Sequence, residues 1–245
     1  AHRAARDVAV VCFTAALSLM FVRFAGREDD SAWAVRALSF LGLDGAAADL
    51  SRAVAKNAPT QIWRKVWWAS ARVIGYGVIP LLSVVFLLKQ SPLDLGLRGR
   101  GDHKHLYLLL FVLVTPFVLA ASFDPAFQAK YPYYKLAKGE ELWPHFVCWE
   151  LLYASQFLAL EFFFRGFLIH GLKKSLGYAA VFVPIMPYAM IHFGKPLPEA
   201  LGSIFTGFLL GTVALKTKSI WGGAAIHIGV AWSMDLLSIW HAGHL

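Results

Sequence analysis

Long apolar runs alternate with short charged connectors along this chain. That is the pattern of a polypeptide whose solvent is a bilayer. The first run is roughly Val8 to Val22, bounded by Arg6 and Arg23. It lacks a small-x-small cleavage site and is expected to remain as a span. Further runs cover about Val66 to Leu88, Leu106 to Ala121, Trp143 to Ile169, Tyr178 to Phe193, Glu199 to Leu215 and Trp221 to Trp240. Each is predicted to form a transmembrane helix. Trp67 and Trp68 open the second run like an aromatic belt, and Pro80 is placed to kink it. The fourth run has 27 residues, or roughly 40 Å of helix against about 30 Å of hydrocarbon, so it must tilt or protrude. The fifth holds Pro184 and Pro187. Between the first two runs, Gly26 to Lys65 mixes charges with Trp33, Leu38, Leu41 and Leu50 at helical spacing. This stretch cannot span and predicts an interfacial amphipathic helix or a loop plus helix.

The expected fold is therefore all-α: a polytopic transmembrane helix bundle of about seven spans plus an interfacial helical segment. Residues 1–142 supply N-terminal scaffold spans and the amphipathic segment. Residues 143–245 form the core bundle of one integrated membrane domain. Composition agrees, with 58% apolar and only 16% charged residues, where soluble domains carry about 25% charge. The formal net charge of +8 would suggest nucleic acid in a soluble protein. Here Lys and Arg flank apolar runs, so they anchor spans at headgroups, and no nucleic-acid partner is expected. The alternation places Arg3, Arg6, Lys89, Arg98, Arg100, Lys104, Lys173, Lys174, Lys216 and Lys218 on one side, and Lys130, Lys135, Lys138 and Lys195 on the other. The bias predicts a cytoplasmic N-terminus. Cys12 and Cys148 form no disulfide framework or zinc-ligand spacing. Ser203, Gly207 and Gly211, four residues apart, mark a close-packing face.

Ionisable groups inside the membrane cost about 2.5–3.5 kcal/mol on insertion scales. The second half of the chain holds a series of them: Glu150, Glu161, Arg165, His192, His227 and Asp235. Glu161 and Arg165 lie on one helical face, one turn apart. Alone, they could be an ion pair that stitches spans together. Glu150 shares that face but sits about 16 Å away along the axis, which suits a structural residue. Asp235 is placed either to line the same cavity or to cap the helix end. Two histidines on separate helices, with a Glu–Arg pair on a third, can converge in one cavity. Such a set can take a proton from water and polarise a carbonyl, which suffices for peptide hydrolysis without a covalent intermediate. The same Glu and two His could instead hold zinc, although no H-E-x-x-H is present.

At these residues the sequence resembles the CAAX protease and bacteriocin-processing (CPBP) family of glutamic-type intramembrane proteases, over about residues 143–240. Its E-E-x-x-x-R pattern with a following Gly is met by L-E-F-F-F-R-G, with Glu161, Arg165 and Gly166. Its F-x-x-x-H is met by Y-A-M-I-H, with Tyr188 and His192, and its H-x-x-x-N by H-I-G-V-A, with His227. Leu160 replaces the first Glu, commonly taken in the family as the water-activating base. Ala231 replaces the final Asn, and Asn57 is the chain's sole asparagine.

The resemblance implies a membrane endopeptidase acting on a membrane-anchored peptide or protein, without a cofactor. Glu161 is then expected to activate water, Arg165 to orient Glu161, His192 to position the water and His227 to stabilise the oxyanion. Tyr188 is expected to pack, with support of His192 as the alternative. The expected location is a bacterial inner (plasma) membrane. A non-catalytic membrane binding or scaffold protein, a proton-relay transporter and a zinc-dependent protease stay open as alternatives.

Overall fold

The structure, a computed structural model, describes residues 2–27, 32–55, 61–98, 104–136 and 139–243. Asn57, Arg100 and Lys138 lie outside the described residues, as does the side chain of Lys104. The described residues form helices and turns, with no strand among them.

Five helices are long and apolar enough to cross a membrane: α1 (His2–Ala25), α4 (Ile62–Leu87), α7 (His145–Val181), α9 (Leu197–Thr217) and α10 (Trp221–His241). The chain is an integral membrane protein. Two short helices, α2 (Ala32–Phe40) and α3 (Asp44–Ala53), pack on each other within the stretch expected to be interfacial. A further apolar helix, α5 (Lys104–Ala121), packs along α10, and α6 (Pro125–Lys130) follows it. The expected fifth span is broken. A 3₁₀ turn (Gly177–Val181) is followed by the six-residue helix α8 (Ile185–Met190). The chain leaves the helical path at Gly177 (φ 55°), and helix restarts after Pro184, whose missing N–H costs nothing at a helix start. With α5 and this broken segment, the five long helices account for the seven apolar runs.

The long fourth run becomes α7, whose 37 residues extend roughly 55 Å at α-helical rise. Its middle, Phe162–His170, is π-helical, and every residue in it is buried. Helices that are apolar all round belong in a core. Phe162, Phe163, Phe164 and Phe167 fill it here, against α1, α4 and α9. On α9, a Cβ at Gly207 would lie 3.2 Å from Tyr188 and one at Gly211 would lie 3.1 Å from Ile169. The small-residue face thus brings α9 close to α7 and α8, as its spacing predicts.

The two groups of basic connectors separate to opposite ends of the bundle. At one end the turn at Gly96 docks on the start of α10, with Ile220 N donating to Gly96 O and Trp221 Nε1 to Leu97 O, both at 3.0 Å. Lys173 lies there beside Lys174, Lys218 and Asp94. At the other end, the Tyr131–Lys135 loop is tied to α9 and α10. Tyr131 Oη donates to the Glu199 carboxylate at 3.1 and 3.2 Å, and Lys195 pairs with Glu199. Burial, then the Glu199 charge, raises the Tyr131 pKa, so the hydroxyl stays a donor. Asp235 lies inside α10 and away from its ends. Fully buried, it accepts from Tyr133 N at 3.0 Å and sits beside Glu150.

Candidate active site

A stripe of residues four apart runs along α7: Trp149, Tyr153, Phe157, Glu161 and Arg165. The helix presents such positions on one face. The upper part is an aromatic ladder. Trp149 and Tyr153 stack at 4.9 Å between centroids, Tyr153 meets Phe157 at 4.7 Å, and Phe157 lies parallel to the His227 ring at 5.7 Å and 4°. The stripe therefore leads from α7 onto the imidazole of α10.

Below the ladder the polar groups meet. Arg165 Nη1 is 3.1 Å from Glu161 Oε1, and His227 Nδ1 is 2.7 Å from the same oxygen. These are ion-pair distances, with the oxygen off the axes of the N–H bonds. The Glu161 and Arg165 side chains are 0% and 2% exposed, whereas that of His227 is 16% exposed. An anion and a guanidinium buried together are nearly neutral, which lowers the cost of placing them in a bilayer. The other carboxylate oxygen is covered by α10. A Cβ at Gly223 would lie 2.3 Å from Glu161 Oε2, so that face of the carboxylate needs a glycine beside it.

Tyr188 packs in the apolar core as expected and also makes polar contacts with both histidines. Its Oη is 2.7 Å from His227 Nε2, and its backbone carbonyl is 2.8 Å from His192 Nδ1. The His192 ring meets the Tyr188 ring at 4.7 Å, edge to face, and the Arg165 guanidinium lies 4.4 Å above the Tyr188 ring. Glu161, Arg165 and His227 are thus in direct contact, while His192 joins them through Tyr188. A carboxylate and a backbone carbonyl only accept. The near nitrogen of each imidazole therefore carries the proton, and in the neutral ring Nε2 is the lone-pair atom.

Sequence reasoning missed Phe157 and Gly223. The four-residue repeat Trp149, Tyr153, Phe157, Glu161 was the available signal for Phe157. Nothing in the sequence pairs Gly223 with Glu161. Leu160 is buried in the apolar cluster with Tyr76, Phe163 and Phe164. Ala231 is buried in a second cluster with Trp68, Trp149 and Tyr153. Among the described residues no three His, Cys, Asp or Glu side chains gather as a metal-holding group. His227 has one nitrogen on Glu161 and the other on Tyr188. The side chains as placed do not offer the Glu–His–His set that a zinc site would use.

No curated protein and no solved structure matches the chain. A protein-family model does match, over residues 142–233, and its description is type II CAAX prenyl endopeptidase Rce1-like. The segment that carries Glu161, Arg165, Tyr188, His192 and His227 is Rce1-like, in agreement with the CAAX protease resemblance of its motifs.

Proposed function

We propose that this chain is an intramembrane endopeptidase that hydrolyses a membrane-associated peptide or protein. The observation that carries the proposal is the 2.7 Å contact between His227 and Glu161, braced by Arg165 and fully buried on the Glu161 side. Buried ionisable groups are costly, and a Glu–Arg–His set joined across two helices suits proton transfer. The full burial of Glu161 favours a role one step removed from water. Its carboxylate orients His227 and balances the imidazolium, as a buried carboxylate does for a general-base histidine. His227 Nε2 takes the proton of the attacking water, whose oxygen bonds to the scissile carbonyl carbon. The same proton passes to the leaving nitrogen as the C–N bond breaks. His192, with Nδ1 held by the Tyr188 carbonyl, turns Nε2 toward the water. No cofactor or metal takes part in these steps. The substrate is anchored in the bilayer, and a prenylated C-terminal peptide is the first candidate, given the matched family's description. The proposed location is a bacterial inner (plasma) membrane.

The test offers purified protein in liposomes a set of membrane peptides, with and without a prenyl group. Wild type cleaves at least one, and Glu161→Gln, His192→Ala and His227→Ala lose most of that cleavage. Absence of wild-type cleavage, or wild-type rates in Glu161→Gln, refutes the reading. One observation favours a second reading, a non-catalytic membrane binding or scaffold protein. Positions 160 and 231 carry apolar side chains buried in packed clusters. Partner-dependent function that survives Glu161→Gln and His192→Ala would decide for it.

A further inference from the structure

From the placement of its hydroxyl we infer that Tyr188 is a catalytic residue, the hydrogen-bond donor to the oxyanion of the peptide bond under attack. This rests on the hydrolytic reading above and adds a part to it.

The argument follows one proton. At rest, His227 Nδ1 faces the carboxylate of Glu161, which only accepts, so Nδ1 carries the hydrogen. In the neutral imidazole Nε2 is then an acceptor, and the group 2.7 Å from it is the Tyr188 hydroxyl. Tyr188 therefore donates to the base. The attacking water takes the place of the hydroxyl on the single lone pair of Nε2 and gives up its proton there, so Nε2 becomes an N–H and no longer accepts. The Tyr188 O–H loses its acceptor at the same moment that negative charge forms on the former carbonyl oxygen. A buried donor without a partner is costly, and a developing oxyanion next to the base is the strongest new acceptor. The donor is released by the step that creates its target. When the leaving nitrogen takes the proton from Nε2, the carbonyl re-forms and the hydroxyl returns to Nε2. Tyr188 itself neither gains nor loses a proton.

The surroundings fit a fixed donor. The Tyr188 ring is 3% exposed. It is held edge-on by Phe164 at 5.1 Å and His192 at 4.7 Å, under the Arg165 guanidinium, with Gly207 leaving room on α9. The placement also bears on Ala231, which has no side-chain donor. The Rce1-like segment has a tyrosine hydroxyl at 188 and none of the amide hydrogens an asparagine at 231 would bring.

Tyr188→Phe keeps the ring and removes the donor. With a peptide that wild type cleaves, kcat falls about 10²–10³-fold and KM stays within about twofold. Affinity for a phosphonate mimic of the tetrahedral intermediate falls in parallel, while affinity for an uncleavable amide isostere is unchanged. Incorporating 3-fluorotyrosine at 188, which restores a hydroxyl on the same ring, returns kcat to within about threefold of wild type. Melting of the variant in detergent shows whether it is folded. If Tyr188→Phe cleaves at the wild-type rate, or binds phosphonate as wild type does, the assignment to Tyr188 is overturned and the hydrolytic reading stands. If wild type cleaves nothing, the hydrolytic reading fails and this inference with it. If Tyr188→Phe unfolds, the fluorotyrosine protein decides alone. Its more acidic hydroxyl is a stronger donor, so kcat at or above wild type supports the role and a tenfold loss overturns it.

Discussion

Adding one methyl group to α10 should disable the Glu161–His227 contact from behind. A Cβ built on Gly223 lies 2.3 Å from Glu161 Oε2 and 3.1 Å from Cδ. Ordinary contact begins at 3.4 Å, so the carboxylate or the helix must yield by about 1 Å. The carboxylate has little room to give, since its oxygens are fully buried and Arg165 and His227 hold Oε1 at 3.1 and 2.7 Å. Overpacking of this kind costs about 1–3 kcal/mol, and a displacement of about 1 Å at a reacting group costs about 10²-fold in rate. Gly223→Ala should therefore lower the melting temperature in detergent and cut kcat/KM on a cleaved membrane peptide about 100-fold. The clash can be relieved from the other side. Glu161→Asp withdraws the carboxylate by about one bond length, 1.5 Å. The pair Gly223→Ala with Glu161→Asp should then melt higher than Gly223→Ala alone, a coupling that a double-mutant cycle measures. Wild-type melting and kcat/KM in Gly223→Ala, or strict additivity of the two changes in melting, would refute the reasoning.

Two other perturbations separate charge from architecture. Arg165→Met leaves the Glu161 carboxylate buried without its guanidinium and should destabilise by about 3–5 kcal/mol. Adding Glu161→Gln should recover much of that loss in a melting assay without restoring cleavage. At the far end of α10, Asp235→Ala removes the acceptor of Tyr133 N and should cost about 1–3 kcal/mol of stability. Asp235→Asn keeps an acceptor and should melt near wild type, with kcat in both variants changed less than Gly223→Ala changes it.

The membrane architecture was legible because apolar runs and flanking charges report directly on solvent. The fifth run was not, since its hydropathy resembles a span while its backbone breaks into a 3₁₀ turn and a six-residue helix. Glu161 and Arg165 were legible as a pair from a spacing of four, and the histidines from their cost in a bilayer. What joins them was hidden by sequence distance. Gly223 lies 62 positions from Glu161, and Tyr188 lies 39 from His227. Tyr188 packs as expected of a tyrosine on a helix near other rings, and only the position of Oη shows that it also meets His227. The proposed exchange of roles between Glu161 and His227 rests on burial, which no local pattern carries.

The three departures from the resembled motifs bear on one another. Leu160 lies one residue, about 100° of helix, from Glu161, among Tyr76, Phe163 and Phe164. Ala231 lies one turn beyond His227, among aromatic rings. Each is the right residue type for the cluster it occupies, so the bundle is closed at both places and neither awaits a lost polar group. The remaining carboxylate, Glu161, is sealed by Arg165, His227 and Gly223. In the proposed mechanism the base that touches water is therefore the imidazole of His227, the more exposed member of the contact. That imidazole needs a partner on Nε2 at rest, which a phenylalanine at 188 cannot supply and the Tyr188 hydroxyl does. Loss of a glutamate at 160, loss of an amide at 231 and gain of a hydroxyl at 188 are consistent as a set. Together they fit the proposed mechanism, in which the water-activating group is a histidine that a glutamate orients.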